Sequence, residues 1–122
     1  MDLSALYRAV DQARALGERR LEDGTELIGH VPHVAPEAWL HQLFPPLGDG
    51  GIAAIEESLS FPLPTDYSAF LRIHNGLRIF SGDLWLGGRR TSYARSGDAA
   101  WKPFDLVLHH DECAAMLSSD EL

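Results

Sequence analysis

The residues in this chain best suited to chemistry are its histidines, its one cysteine and the acids beside them. His109-His110-Asp111-Glu112-Cys113 brings imidazole, carboxylate and thiol together in one short run, the residue types of a nucleophile and its base. Nucleophilic catalysis needs thiol and base face to face, a third group to orient the base, and donors aimed at a developing oxyanion. Neighbours in sequence seldom face each other, and no orienting group or oxyanion donor can be named for this run. The expectation is a strand end passing into a helix start, with no catalytic residue.

His30 and His33, at i and i+3 and joined by His41, are the types that share a metal ion. Zinc takes about four ligands in a defined geometry. Val31, Pro32 and Pro36 offer no rigid frame for one, so ordinary loop histidines and no metal are expected. His74 falls on an apolar stripe and reads as a satisfied core histidine. Asp105, Asp111 and Glu112 are expected at a strand end and a helix N-terminus, where acids complement the helix dipole without a metal. Gly87-Gly88 before Arg89-Arg90 lacks the Gly-Lys-Ser/Thr ending and the following helix of a phosphate loop, and no cofactor is expected.

Recognition is what remains. The segment Gly87 to Pro103 carries Tyr93, Arg95 and Trp101, and aromatic residues and arginine are enriched at binding hot spots. With Asp83 and Trp85 just before it, the candidate partner-binding residues are Asp83, Trp85, Tyr93 and Trp101. A ring tucked inward beneath a solvated loop is the competing reading for Trp101. Charge points the same way: 18 acids against 10 bases leave a net charge of -8. Such a surface repels phosphate backbones, which argues against direct nucleic-acid binding, and it steers basic proteins. Keeping the chain soluble is the plainer use of the same charge.

The elements that must position these residues are read from apolar spacing and turn residues. Leu3, Leu6, Tyr7 and Val10 mark a helix from about Leu3 to Arg20, and Leu27 to Val34 is extended. Pro36 suits the first turn of a helix carrying Trp39, Leu40, Leu43 and Phe44, ended by Pro45-Pro46. Ile52, Ile55 and Leu59 define the next helix. Another follows Pro62-Leu63-Pro64, with Thr65 as N-cap, Tyr67, Phe70 and Leu71 inward, and Asn75-Gly76 as its stop. Leu77 to Phe80 and Leu84 to Leu86 form a hairpin around Ser81-Gly82-Asp83. Gly87 to Pro103 is a loop long enough to be either functional or mobile. Phe104 to Leu108 reads as a third strand and Asp111 to Leu117 as a short final helix. The fold class is α+β, with helices packed on one face of a small antiparallel sheet, in a single domain spanning 1–122.

The block from Ile52 to Leu86 resembles the signature of the SUKH superfamily. That pattern is Ile52, Ile55-Glu56, Leu59, Leu63-Pro64, Asp66-Tyr67, Phe70-Leu71 and Asn75-Gly76, followed by a hairpin with Phe80, Gly82 and Leu84 and a later Pro-Phe-Asp-Leu at Pro103 to Leu106. The superfamily includes a fungal cell-wall-synthesis regulator and many bacterial immunity proteins. The resemblance implies a SUKH-like fold and an immunity-type protein that binds and blocks a cognate toxin, a nuclease with a basic cleft being the partner that suits the charge. A regulatory scaffold that binds a cellular protein is the alternative. Family members usually continue with further strands, so either the sheet is smaller here or the C-terminal part of the domain is missing.

One cysteine, Cys113, allows no internal disulfide and fits a reducing compartment. The N-terminal segment has neither the basic start nor the apolar stretch of a signal peptide, and no apolar run approaches the roughly 20 residues that span a bilayer. The expected setting is the cytoplasm, with no membrane partner. Nothing in the residues fixes the oligomeric state.

Overall fold

The computed structural model describes residues 2–95 and 97–120, with side chains as far as residue 113. Helix α1 (Ser4–Ala13) buries Val10 and Ala13 and runs on into one 3-10 turn over Arg14–Leu16. It does not reach Arg20. Gly17 takes a φ of 128°, which side-chain-bearing residues rarely adopt, and breaks the helix. The next three residues pair as strand β1 (Glu18–Arg20) with β2 (Glu26–His30).

A second departure from the sequence expectation is larger. Trp39 to Leu43 is strand β3, not a helix opened by Pro36. It is the middle strand of a five-stranded antiparallel sheet in the order β1-β2-β3-β4-β5, with β4 at Leu77–Ile79 and β5 at Leu84–Leu86. A central strand covered on both faces shows no alternation of apolar and polar residues. Its short apolar run therefore cannot be told from a buried helix by period alone. The sheet has five strands where three were expected: β1 and β3 fall within expected helices, β2 within a segment expected only to be extended, and the expected strand at Phe104 to Leu108 is not among them.

Helices α2 (Asp49–Leu59) and α3 (Thr65–Leu71) lie between β3 and β4 in the chain. Thr65 is the first helical residue rather than the N-cap; Pro64 holds that position, without a side-chain cap. Past β5, the expected strand at Phe104 to Leu108 is absent. Only an isolated parallel bridge joins Asp105 to Gly88. The Asp105 carboxylate accepts the N–H groups of Val107 (3.1 Å) and Leu108 (3.2 Å). These bonds satisfy two of the free donors that every helix start leaves. Helix α4 accordingly begins at Leu106 and runs to Asp120, longer than the Asp111 to Leu117 segment read from sequence.

The helices cover one face of the sheet. Ile28, Leu43, Leu77 and Ile79 meet Val10 of α1, Ile52 and Ile55 of α2, and Phe70 and Leu71 of α3 in one apolar cluster, with Leu106 and Val107 of α4 at its margin. On the other face Leu27, Gln42, Arg78 and Trp85 stand in register across β2, β3, β4 and β5. Residues 98–104 lie over that face, while Arg89 to Thr91 stand beside Ala54, Ile55 and Ser58 of α2. Trp101 packs on Leu21, Leu27 and Trp39. Phe104 lies 4.6 Å from the Trp85 ring and 4.2 Å from the Arg78 guanidinium. Arg19–Asp98 (2.9 Å) and Lys102–Asp23 (3.0 Å) tie the segment down. The later part of the long polar loop is thus a second layer, with a 3-10 turn of its own at Asp98–Ala100.

Phe70 is 3% exposed at the centre of the helix-side cluster. Phe70→Ala should cost about 3–5 kcal/mol, measured by urea unfolding; a loss below about 1 kcal/mol would show that the ring is not the core element described.

Candidate partner-binding site

Two residues of the SUKH pattern, Tyr67 and Asn75, hold the chain just after β5. Tyr67 projects from α3 and its hydroxyl donates to the Gly87 carbonyl at 2.5 Å, and burial pushes the phenol up to about 12. Asn75 grips the next residues with both ends of its amide. Its Oδ1 accepts Arg89 N–H at 2.6 Å, and its Nδ2 donates to the Arg89 carbonyl at 2.9 Å. Gly88 has to be glycine: a Cβ there would stand 2.6 Å from the Asn75 carbonyl oxygen. Sequence reasoning gave Asn75 the task of stopping a helix, but α3 ends at Leu71 and the amide is a clamp instead. Glu56 has a similar role, with Oε2 accepting Leu63 N–H at 2.6 Å and so fixing the entry to α3.

Histidine positions follow from these contacts. His74 Nδ1 donates to the Phe44 carbonyl at 3.0 Å, and Nε2 accepts from the Tyr7 hydroxyl at 2.7 Å, so both ring nitrogens are satisfied. His41 is 1% exposed on β3, and its Nδ1 accepts Phe80 N–H at 3.2 Å. Burial holds its pKa below the ordinary imidazole value. His30 stacks on Trp39 and donates to the Pro36 carbonyl, while His33 is exposed. Among the described residues no three His, Cys, Asp or Glu side chains are grouped to hold a metal ion. On α4, Cys113 Sγ lies 3.7 Å from His109 Nε2, one helical turn away. The sequence reading had discounted a facing pair here. The pair is exposed, and the other neighbour of the His109 ring is the edge of Trp85 at 4.9 Å. Among the described contacts no carboxylate orients that imidazole.

The four candidate contact residues are placed unequally. Asp83 is exposed in the turn of the β4–β5 hairpin and has no ion-pair partner among the described residues. Tyr93 is 55% exposed, with Arg90 over its ring and its hydroxyl donating to Asp105. Trp85 and Trp101 are half-buried, one between Phe104 and His109 and the other on the Leu21, Leu27 and Trp39 cluster. Sequence reasoning passed over Phe80 as a contact, although it is 49% exposed at the hairpin tip. The available signal was a bulky aromatic where a tight turn normally takes Asn, Asp or Gly.

Charge is segregated between the two layers. Residues 49–71 and 105–113 hold seven acids and no Lys or Arg. Asp49 pairs with Arg72, and Glu56 and Asp105 are used in backbone bonds. Glu57, Asp66, Asp111 and Glu112 are exposed. Residues 87–103 carry four cations and one acid. The acidic surface therefore belongs to the helices, and the Tyr93 and Trp101 segment is locally basic.

The architecture is a helical layer on one face of a five-stranded antiparallel sheet. A model of the SMI1 / KNR4 family (SUKH-1) matches residues 46–115, more than half of the chain. The protein belongs to this family. The match takes in α2, α3, the β4–β5 hairpin and the first turns of α4, and leaves α1 and strands β1 to β3 outside it. Neither the curated proteins nor the solved structures include a match to this chain. The family is generally non-catalytic and its members bind partner proteins, which suggests a toxin-immunity or regulatory role. No helix among the described residues is long and apolar enough to cross a membrane.

His41 makes stability depend on pH. Its pKa is lowered on folding, so the unfolded chain binds the extra proton first. The contribution of the neutral ring is complete above about 6.5 and is lost as pH falls below that value. The melting temperature should fall between pH 7 and pH 5. His41→Asn, which keeps an acceptor for Phe80 N–H without titrating, should flatten that fall; an unchanged slope would remove His41 as its cause.

Proposed function

We propose that this protein is an immunity-type binding protein that neutralises a cognate toxin, a nuclease domain with a basic cleft being the partner whose charge it fits. It acts as a single domain in the cytoplasm and blocks its target by contact, without catalysis. The observation that carries the reading is the acidic character of the later helices on a member of a family associated with immunity: Glu57, Asp66 and Glu112 are exposed on α2, α3 and α4, with Asp111 beside His110, and residues 49–71 and 105–113 contain no Lys or Arg. A nuclease needs a positive cleft for its substrate, and an acidic surface both steers toward such a cleft and occupies it. Asp83 and Tyr93, with the uncovered part of Trp85, supply contacts around this surface, while Trp101 on the far face of the sheet stays outside it.

The test is binding kinetics against the purified product of the adjacent gene over a range of salt, paired with a protection assay in cells. Reversing Glu57, Asp66 and Glu112 to Lys should slow association about tenfold at low salt and leave dissociation nearly unchanged. The difference should shrink as ionic strength rises past the point where the Debye length is about 8 Å. No binding together with no protection would reject immunity to that toxin and favour a regulatory scaffold.

A further inference from the structure

The tip of the β4–β5 hairpin holds consecutive residues in the left-handed region, and the first two are not glycine: Phe80 at φ 53° and Ser81 at 59°, followed by Gly82 at 92°. Left-handed backbone suits Gly, Asn and Asp, and a bulky aromatic there is an outlier. The strain is held in place by the surroundings. Phe80 N–H donates to His41 Nδ1, Ser81 N–H to the Leu40 carbonyl at 2.8 Å, Gly82 N–H to Ile79 at 3.2 Å and Asp83 N–H to Phe80 at 3.1 Å. Every backbone donor from Phe80 to Asp83 is therefore used, so the turn is locked rather than loose. Yet the ring is only half covered, with the His41 imidazole against it at 5.1 Å. Leu84, next along, is 47% exposed. Asparagine at position 80 would relieve the backbone and remove apolar surface from water. Strained backbone that the surroundings over-determine collects at functional sites, and a side chain fixed before binding loses little freedom on docking.

We propose that the hairpin tip, Phe80 with Asp83 and Leu84, is the preorganised apolar anchor of the partner interface, inserting into an apolar pocket rimmed by Lys or Arg on a basic protein domain. The rim follows from charge: Asp83 has no ion-pair partner among the described residues, and residues 79–88 contain no Lys or Arg. The tip is also continuous with the acidic helical surface. Trp85 meets His109 of α4, and His110 on the same helix meets Phe61 of the α2–α3 connection at 5.4 Å. Asp111 and Glu112 extend from that bridge. One basic domain can thus touch the steering acids and the anchor together.

This inference rests on the immunity reading, and the experiment separates the two. The probe is the purified adjacent-gene product, with wild type, Phe80→Asn, Leu84→Gln and Ser81→Gly compared by binding kinetics and thermal unfolding. Phe80→Asn should weaken binding about 30-fold, mainly through faster dissociation, while the melting temperature holds or rises. Leu84→Gln should weaken binding in the same direction. Ser81→Gly, which eases the turn and keeps the ring, should bind as wild type and melt no lower. If wild type binds and Phe80→Asn stays within about threefold of it, the anchor is wrong and the immunity reading stands. If Phe80→Asn lowers the melting temperature by more than about 8 °C, the ring is a structural prop and the inference is overturned. If wild type fails to bind, both ideas fall for that partner.

Discussion

Where β5 ends at Leu86, the chain leaves the sheet while still buried, and Gly87 and Gly88 have only an isolated bridge to Asp105 in place of a strand ladder. Buried backbone groups without partners are costly, each comparable to a lost hydrogen bond. The Tyr67 hydroxyl serves the Gly87 carbonyl from the helical side, Gly88 donates to the Phe104 carbonyl and accepts from Leu106 N–H, and the Asn75 amide holds the next residue, Arg89. This junction joins three parts of the molecule: α3, the segment after β5 and the start of α4. Loosening it would free Asp105 from its place as the cap of α4 and withdraw support from Trp101 and Phe104 on the far face of the sheet.

The same arrangement sorts the charge. Helices α2, α3 and α4 contain carboxylates and no Lys or Arg, whereas Lys102 pairs with Asp23 between β1 and β2, and Arg90 with Tyr93 and the Ser92 carbonyl of its own segment. Arg78 shows how far that layer is closed. Its guanidinium stacks on Phe104, Nη2 donates to the Lys102 carbonyl, and burial with Arg90 nearby holds its pKa below the usual arginine value. A net charge of -8 is therefore a poor description of either layer alone.

What could be read from residues alone followed local chemistry. Helices α2 and α3 are separated by Pro62-Leu63-Pro64 and the hairpin after them turns at Ser81-Gly82-Asp83, and each of these signals acts over a few residues. The family pattern lies on that same stretch. Strands β1 and β3 were not legible: β1 exists only because β2 pairs with it, and Trp39 to Leu43 looks alike as a buried strand or a helix. The α4 start was missed because Asp105, which caps it, was taken for a strand end. For the site, residue types pointed to Asp83 and Tyr93 as exposed polar and aromatic groups. They left open whether Trp101 would tuck inward, as it partly does, and could not show that Tyr67 would reach a carbonyl 20 positions away. Those are tertiary contacts with no local signature.

The central claim is that this chain binds a basic protein domain through its helical acidic surface and the adjoining hairpin. Amide hydrogen exchange of the free chain and of its mixture with the adjacent-gene product tests that claim most directly. Added protection concentrated in residues 57–66, 80–86 and 108–113, with β1 and β2 little changed, is the expected result. Protection confined to β1, β2 and the 95–101 segment, or no change anywhere on mixing, would contradict it.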